Sequence, residues 1–128
     1  MNWHSLVRSA LIIPVLGGVP FFALASTLAL SPASGSFAPG DISSVNVLLD
    51  TQNAAVSGVD IYYLNYDPLL LEVQDDDGAV AGIQISAGSL MPSTLVNTVD
   101  AANGRIEFSQ VPSGGQTFTG SGTLATVR

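Results

Sequence analysis

Residue types that build many active sites are missing from most of this 128-residue chain. It contains no cysteine and no lysine, and its one histidine, His4, lies near the start. Residues 5–128 therefore contain no thiol and no imidazole group. This part of the chain has no Cys-His or Ser-His nucleophile pair, and it lacks the usual ligands of zinc. The absence of cysteine also means that no disulfide bond stabilises the fold.

Basic residues are scarce as well, with three arginines against ten acidic residues and a formal net charge of −7. Beyond residue 25 only Arg105 and Arg128 are basic, whereas all ten acidic residues lie there. Nucleic acids and anionic lipid surfaces are bound through basic patches, so this balance excludes both as partners. An acidic excess at low charge density is typical of a soluble secreted module.

The first 25 residues have the features of a secretory signal peptide. A polar start carrying Arg8 precedes an apolar run from Ala10 to Leu24, and Ala23-Leu24-Ala25 has the small-x-small form of a cleavage site. The alternative is a retained membrane anchor, but the run of about 15 residues contains two prolines and two glycines, and a spanning helix needs ~20 apolar residues. We therefore expect cleavage after Ala25. The product is a secreted domain of residues 26–128, extracellular or at the cell surface, with no membrane attachment after cleavage.

Short alternating segments separated by turns predict an all-β domain. Val45, Val47 and Leu49 recur at every second position, which is the period of a strand. Further strands are predicted at 27–30, 56–66, 69–74, 83–85, 95–100, 105–111 and 123–128. Asn103-Gly104 predicts a hairpin turn with positive φ angles between two of them. No segment shows a helical period, so we expect an antiparallel β-sandwich of jelly-roll or immunoglobulin-like type.

The segment VDIYYLNY at 59–66 loses its alternation at a doubled tyrosine. Its apolar positions are 59 and 61, and then 64 and 66, one residue late. A slip of one residue would turn half of this apolar set to water. A β-bulge at Tyr62-Tyr63 keeps all four positions facing the core and directs one tyrosine outward. Either the bulge only shapes the sheet, or it re-aims a side chain for binding, since bulges are common near binding sites.

The order of these elements resembles a cohesin domain. The resemblance is carried by Pro39-Gly40-Asp41 ahead of a strand, by VSGVDIYYLNYDPLLLEV at 56–73, by the Asn103-Gly104 hairpin leading into GRIEFSQV, and by the closing GSGTLATVR. Cohesins are secreted β-sandwich modules related in fold to carbohydrate-binding modules. They bind dockerins, the calcium-loaded helical modules of polysaccharide-degrading enzymes. The resemblance implies a non-catalytic module that recruits a dockerin-type or other extracellular protein in polysaccharide catabolism, as in a cellulosome.

Three features depart from the cohesin pattern. The doubled tyrosine adds one residue, and Gly58 stands where dockerin-binding members often have asparagine, with Asp60 matching their partner-contacting aspartate. Family domains also continue past the Gly-Thr-Leu-Ala-Thr strand to a final strand that pairs with the first, whereas this chain ends at Arg128. We therefore expect a sandwich that lacks its final strand and whose first strand has an open edge. A low melting temperature or self-association through that edge follows.

Outward residues of one sheet form the candidate partner-binding site. The bulge interpretation and the strand arrangement of the family place these side chains there: Asp60, Tyr62, Asn65, Asn97 and Glu107. Polar and aromatic side chains on a rigid sheet suit the centre of a protein interface. One alternative is a carbohydrate-binding module of the same fold, and another is a truncated remnant with no binding role.

Two acidic groupings are weaker candidates. Glu72 and Glu107 are the only glutamates, and a glycosidase needs two carboxylates about 5–10 Å apart. Both lie at polar positions of predicted strands, so we expect no enzymatic activity. The run Asp75, Asp76 and Asp77 offers oxygen ligands that suit calcium, but its spacing differs from that of an EF-hand loop. We interpret it as a solvated turn and expect no metal or cofactor.

Overall fold

The computed structural model of the chain describes residues 25–128. The predicted signal peptide lies outside the described residues except for Ala25. Within that range the strands are β1 (Thr27–Ser31), β2 (Val45–Asp50), β3 (Val59–Asn65), β4 (Ser86–Ala87), β5 (Ser93–Asp100), β6 (Arg105–Val111) and β7 (Ser121–Val127). A short 3-10 helix, Ser113–Gly115, joins β6 to β7. No helix between residues 25 and 128 combines the length and the apolar character needed to cross a bilayer.

The strands form two antiparallel sheets, and the predicted all-β sandwich is confirmed. One sheet has the order β1-β2-β7-β4 and the other has the order β3-β6-β5. Alternate residues of each strand turn to the space between the sheets, which is why the period-two segments produce a core. Its buried members are Val47, Leu49, Val73, Ile85, Met91, Ile106, Phe108, Leu124 and Ala125.

The predicted bulge is present in β3. The ladder between β3 and β6 pairs Ile61 and Leu64 with two inward residues of β6 that lie only two positions apart. Tyr62 and Tyr63 therefore both stand across from Glu107. Because the bulge absorbs the additional residue, Ile61 and Leu64 both pack against the core, as do the residues at 59 and 66.

The segment 69–74 was predicted to be a strand, and this prediction is wrong. It is a turn followed by backbone outside both sheets. Asp67 holds the turn, because its carbonyl oxygen accepts hydrogen bonds from the N–H groups of Leu70 and Leu71 and its carboxylate accepts one from Leu69. The three leucines are exposed, and only Val73 of this segment reaches the core. The short strand predicted at 83–85 lies slightly later, at 86–87.

Strands β5 and β6 form the predicted hairpin, but its turn differs in detail. The loop covers residues 101–104, and within it only Gly104 has a positive φ, of 63°. Asn103, also predicted to supply a positive φ, does not, because its amide and backbone N–H are held by the Asp100 carboxylate. A Cβ at position 104 would collide with the carbonyl oxygen of Tyr66. Glycine is therefore required there for space as well as for its backbone angle.

The two sides of the sandwich differ in how they are closed. On one side Asn97 of β5 donates to the Ile85 carbonyl at 2.7 Å and accepts from the Ile85 N–H at 2.9 Å. The N–H of Val99 adds a bond to the carbonyl of Ile83. On the other side the edge strands are β1 and β3, and a groove lies open between them. We call this the β1–β3 groove; its lining is Leu28, Ala29, Leu30, Val47, Ile61 and Leu64.

Candidate functional site

The outward side chains of the β3-β6-β5 sheet form the candidate site, which we call the outer face. Ile106 and Phe108 of β6 belong to the core, and because strand residues alternate they fix which positions face it. The register then sets three rows across the sheet. These rows are Asp60, Ser109 and Val96; Tyr62 and Tyr63 with Glu107 and Thr98; and Asn65, Arg105 and Asp100. Of the predicted site residues, Asp60, Tyr62, Asn65 and Glu107 lie on this face.

Both tyrosines of the bulge project from the outer face. Tyr62 is 67% exposed and Tyr63 is 48% exposed. Their ring centroids lie 4.7 Å apart and their planes meet at 76°, an edge-to-face contact. The sequence predicted one outward tyrosine, whereas the bulge directs two, because the core positions on either side are already filled by Ile61 and Leu64.

Arg105 is the basic residue of the outer face. Its guanidinium carbon lies 4.8 Å from the ring centroid of Tyr63, within the range of a cation–π interaction. It stands between Asn65 and Asp100 in the ladder. Arg105 was predicted to point outward but was not included in the site. The available signal was its position in the hairpin, which sets it across from the end of β3.

Two ionisable groups at the hairpin end of this face have shifted pKa values. The side-chain amide of Asn103, and next its backbone N–H, lower the pKa of the Asp100 carboxyl, and Arg105 contributes less. Burial raises the pKa of the Tyr66 phenol, and the charges of Asp100 and Glu72 add to this. The Asp100 carboxylate anchors the turn through its hydrogen bonds from Asn103, and Tyr66 is partly buried against the core.

The predicted outward position of Asn97 is wrong, because the residue does not lie on the outer face. Val99 faces the core, and because strand residues alternate, Asn97 two positions earlier faces the core side as well. Its amide is used by the backbone of Ile85, so it is not available to a partner. Thr98 occupies the outward position in the row of the two tyrosines.

The carboxylates of the weak calcium candidates, Asp75, Asp76 and Asp77, are engaged by the chain itself. The Asp75 carboxylate accepts hydrogen bonds from the N–H groups of Asp77 and Gln84, and the Asp77 carboxylate accepts one from a following N–H group. Asp76 forms an ion pair with Arg128 at 2.7 Å. In the part of the chain that the structure describes, no three acidic or histidine side chains are grouped to hold a metal ion. Each carboxylate is instead engaged by the chain itself.

No family model, curated protein or solved structure matches this chain. The resemblance to cohesins therefore stays a prediction from sequence.

Proposed function

We propose that this chain is a secreted, non-catalytic binding module whose outer face binds an extracellular protein, as cohesins bind dockerins. The observation that carries the proposal is the pair of exposed tyrosines held edge to face on the bulge. Tyrosine is enriched among the residues that dominate interface energies. A tyrosine offers a large contact area for the loss of few side-chain rotations.

The sheet beneath the tyrosines is a rigid support. They lie across from β6, the central strand of its sheet, whose Ile106 and Phe108 are buried directly below the outer face. The contact of Arg105 with Tyr63 further restricts that ring. A surface that is ordered before binding loses less conformational entropy when the complex forms.

The charges around the tyrosines indicate the chemistry of the partner. Asp60 and Glu107 flank the tyrosines, while Arg105 is engaged by one of the rings. The face therefore suits a partner with an apolar stripe bordered by basic side chains, such as one face of a helical module. Because the chain is acidic overall, we expect the association rate to fall as salt is added.

Carbohydrate binding is supported less well by the same geometry. A sugar ring stacks on aromatic side chains that present a common plane, and the two rings here meet at 76°. Only one of them can stack on a given sugar face. A protein surface, with its uneven shape, can contact both rings together.

The test uses the double variant Tyr62→Ala/Tyr63→Ala with Phe37→Ala as the matched control. Phe37 is an exposed aromatic residue in the loop after β1 and belongs to none of the three rows of the outer face. The immobilised protein is used to capture partners from the secreted proteins of the source organism, with calcium and with a chelator, and the captured protein is then titrated by calorimetry. We expect the double variant to weaken binding by about 2 kcal/mol or more and the control to bind like the parent.

A dockerin-type partner predicts that the chelator abolishes capture, since dockerins are calcium-loaded. A parallel affinity electrophoresis on insoluble polysaccharides measures sugar binding. If a polysaccharide retards the parent protein but not the double variant, this result would favour the carbohydrate alternative. Equal capture by the parent and the double variant would contradict a role of the outer face.

A further inference from the structure

Strand β1 is an edge strand without the features that normally protect an edge. Within residues 25–128 it pairs only with β2, in an uninterrupted register from Thr27 to Ser31. Its other side therefore presents backbone N–H and C=O groups that no strand of the described chain uses. Natural edge strands carry charges, prolines or bulges that prevent further pairing. The strand TLALS has none of these, and no charged residue occurs from Ser26 to Gly40.

The other described edges of the sandwich are less open to a new strand. Strand β3 is interrupted by the bulge and carries Asp60. Strand β4, at the far edge of the same sheet as β1, is only two residues long. Strand β5, the outer strand of the other sheet, has a register shift between Thr94 and Val96, and it is bonded to the segment before β4 through Asn97 and the Val99 N–H. Of the four described edges, only β1 combines five uncharged residues with an uninterrupted register.

An apolar groove accompanies this edge. The β1–β3 groove has a volume of about 230 Å³. Leu28 and Leu30 line it, yet they are 48% and 43% exposed. Its floor consists of core side chains, among them Val47. A strand added to β1 would cover these leucines, and the burial of apolar surface would favour the addition.

We infer that β1 pairs with β1 of a second copy of this chain, which gives a two-fold dimer with one continuous sheet. The strand has the same chemical character read in either direction from Ala29: a leucine on each side, and then a hydroxyl residue. Antiparallel pairing centred on Ala29 sets Leu28 across from Leu30 of the second copy, and Thr27 across from Ser31. The leucines then cover both grooves, while the hydroxyl groups meet on the opposite face of the sheet. The interface is self-complementary, as a two-fold axis requires.

The charge distribution also favours a second copy at this surface. Ten acidic side chains against two arginines beyond residue 25 make copies of the chain repel one another over most orientations. The uncharged stretch from Ser26 to Gly40 lets two copies approach at β1 without opposed carboxylates. The nearest carboxylate in the ladder, Asp50, lies on β2 across from Thr27, one strand away from the contact.

Cross-linking tests the register. The chain has no cysteine, so a single introduced one reports unambiguously. The full chain is expressed with its own predicted signal peptide, residues 1–25, and the protein is purified after export. In the dimer Ala29→Cys lies on the two-fold axis and forms a disulfide between copies under mild oxidation, because directly opposed strand residues have Cβ atoms about 4.5–5.5 Å apart. Thr27→Cys is the register control, since its two sulfurs would be separated by about 13 Å along the strands. We expect the first variant to cross-link and the second to remain monomeric on a non-reducing gel.

Sedimentation velocity over a concentration series tests the dimer itself. Ala29→Lys sets two like charges face to face, and we expect it to raise the dimer dissociation constant by about tenfold or more. Ala87→Lys is the matched control, because Ala87 is an exposed alanine in β4 at the opposite edge of the same sheet, and it should dimerise like the parent. Circular dichroism confirms that both variants are folded. If the parent chain stays monomeric at all concentrations, the inferred dimer is wrong. This holds even if β1 can pair with a strand of a different protein. A dimer that Ala29→Lys leaves intact overturns the inference as well.

Discussion

Deleting one tyrosine of the bulge provides the sharpest test of how β3 is built. The deletion changes YY to Y, and the strand then alternates without interruption from Val59 to Asn65. Ile61 and Leu64 stay on the core side, and the remaining tyrosine stays on the outer face. The bulge therefore predicts that the chain still folds with the same core.

The magnitude follows from the contacts that the deletion removes. Loss of the edge-to-face contact costs about 0.5–1.5 kcal/mol. Loss of the contact between Arg105 and Tyr63 costs about 0.5–1 kcal/mol at an exposed site. Regular pairing of the strand returns about 0.5–1.5 kcal/mol for the recovered ladder hydrogen bond. We expect a net loss of stability below about 2 kcal/mol, from the difference of these contributions.

A strand without a bulge predicts a different result. Deleting a residue from it would turn two apolar side chains to water, at about 1.5–3 kcal/mol for each fully buried side chain. Deletion of Asp60 is the matched control, because it removes one residue from the regular part of the same strand and turns Val59 outward. Urea unfolding followed by far-ultraviolet circular dichroism measures all three chains. If the tyrosine deletion is as destabilising as the Asp60 deletion, or prevents folding, the structural argument for the bulge is refuted.

Three further predictions concern the closed side and the hairpin. Asn97→Ala should lower the free energy of unfolding by about 2 kcal/mol or more, because it leaves two backbone groups unpaired. The control Asn65→Ala, on the outer face, should change the free energy of unfolding by less than about 0.5 kcal/mol. Urea unfolding measures both variants. Because folding lowers the pKa of Asp100, its ionised carboxylate stabilises the fold at pH values above its ordinary pKa of 3.8. This stabilisation is lost as the pH falls through the folded-state pKa. The melting temperature of Asp100→Asn should therefore be lower than that of the parent at neutral pH and equal to it in strong acid. The same difference in melting temperature at both pH values would contradict this. Gly104→Ala should destabilise the hairpin by more than about 1 kcal/mol, because of its positive φ and the collision of its Cβ; a melting curve like that of the parent would contradict it.

The bulge could be predicted because its signal is local. The apolar positions on the two sides of Tyr62-Tyr63 are out of phase by one residue, and burial of both sets leaves only a bulge as the solution. The β5–β6 hairpin was found for a similar reason, from alternation around Gly104. These inferences needed no knowledge of which strands are neighbours in space.

Features set by particular hydrogen bonds could not be predicted from the alternation of apolar residues alone. Three consecutive leucines at 69–71 look like a buried strand, yet the carboxylate and carbonyl of Asp67 fold them into an exposed turn. Asn97 looks like a surface residue by its polarity, and its actual use depends on Ile85, which lies twelve positions away. The contact of Arg105 with Tyr63 required the register between β3 and β6.

The placement of the first and last strands has a mechanical consequence. Strands β1 and β7 flank β2 on its two sides, and both run antiparallel to it. Thr27 therefore lies beside one end of β2, near Asp50, and Val127 lies beside the other end, near Val45. Tension applied between these two points acts along the strands and perpendicular to their hydrogen bonds. The bonds of both ladders are then loaded in shear together rather than broken one after another, which is the arrangement that resists stretching best.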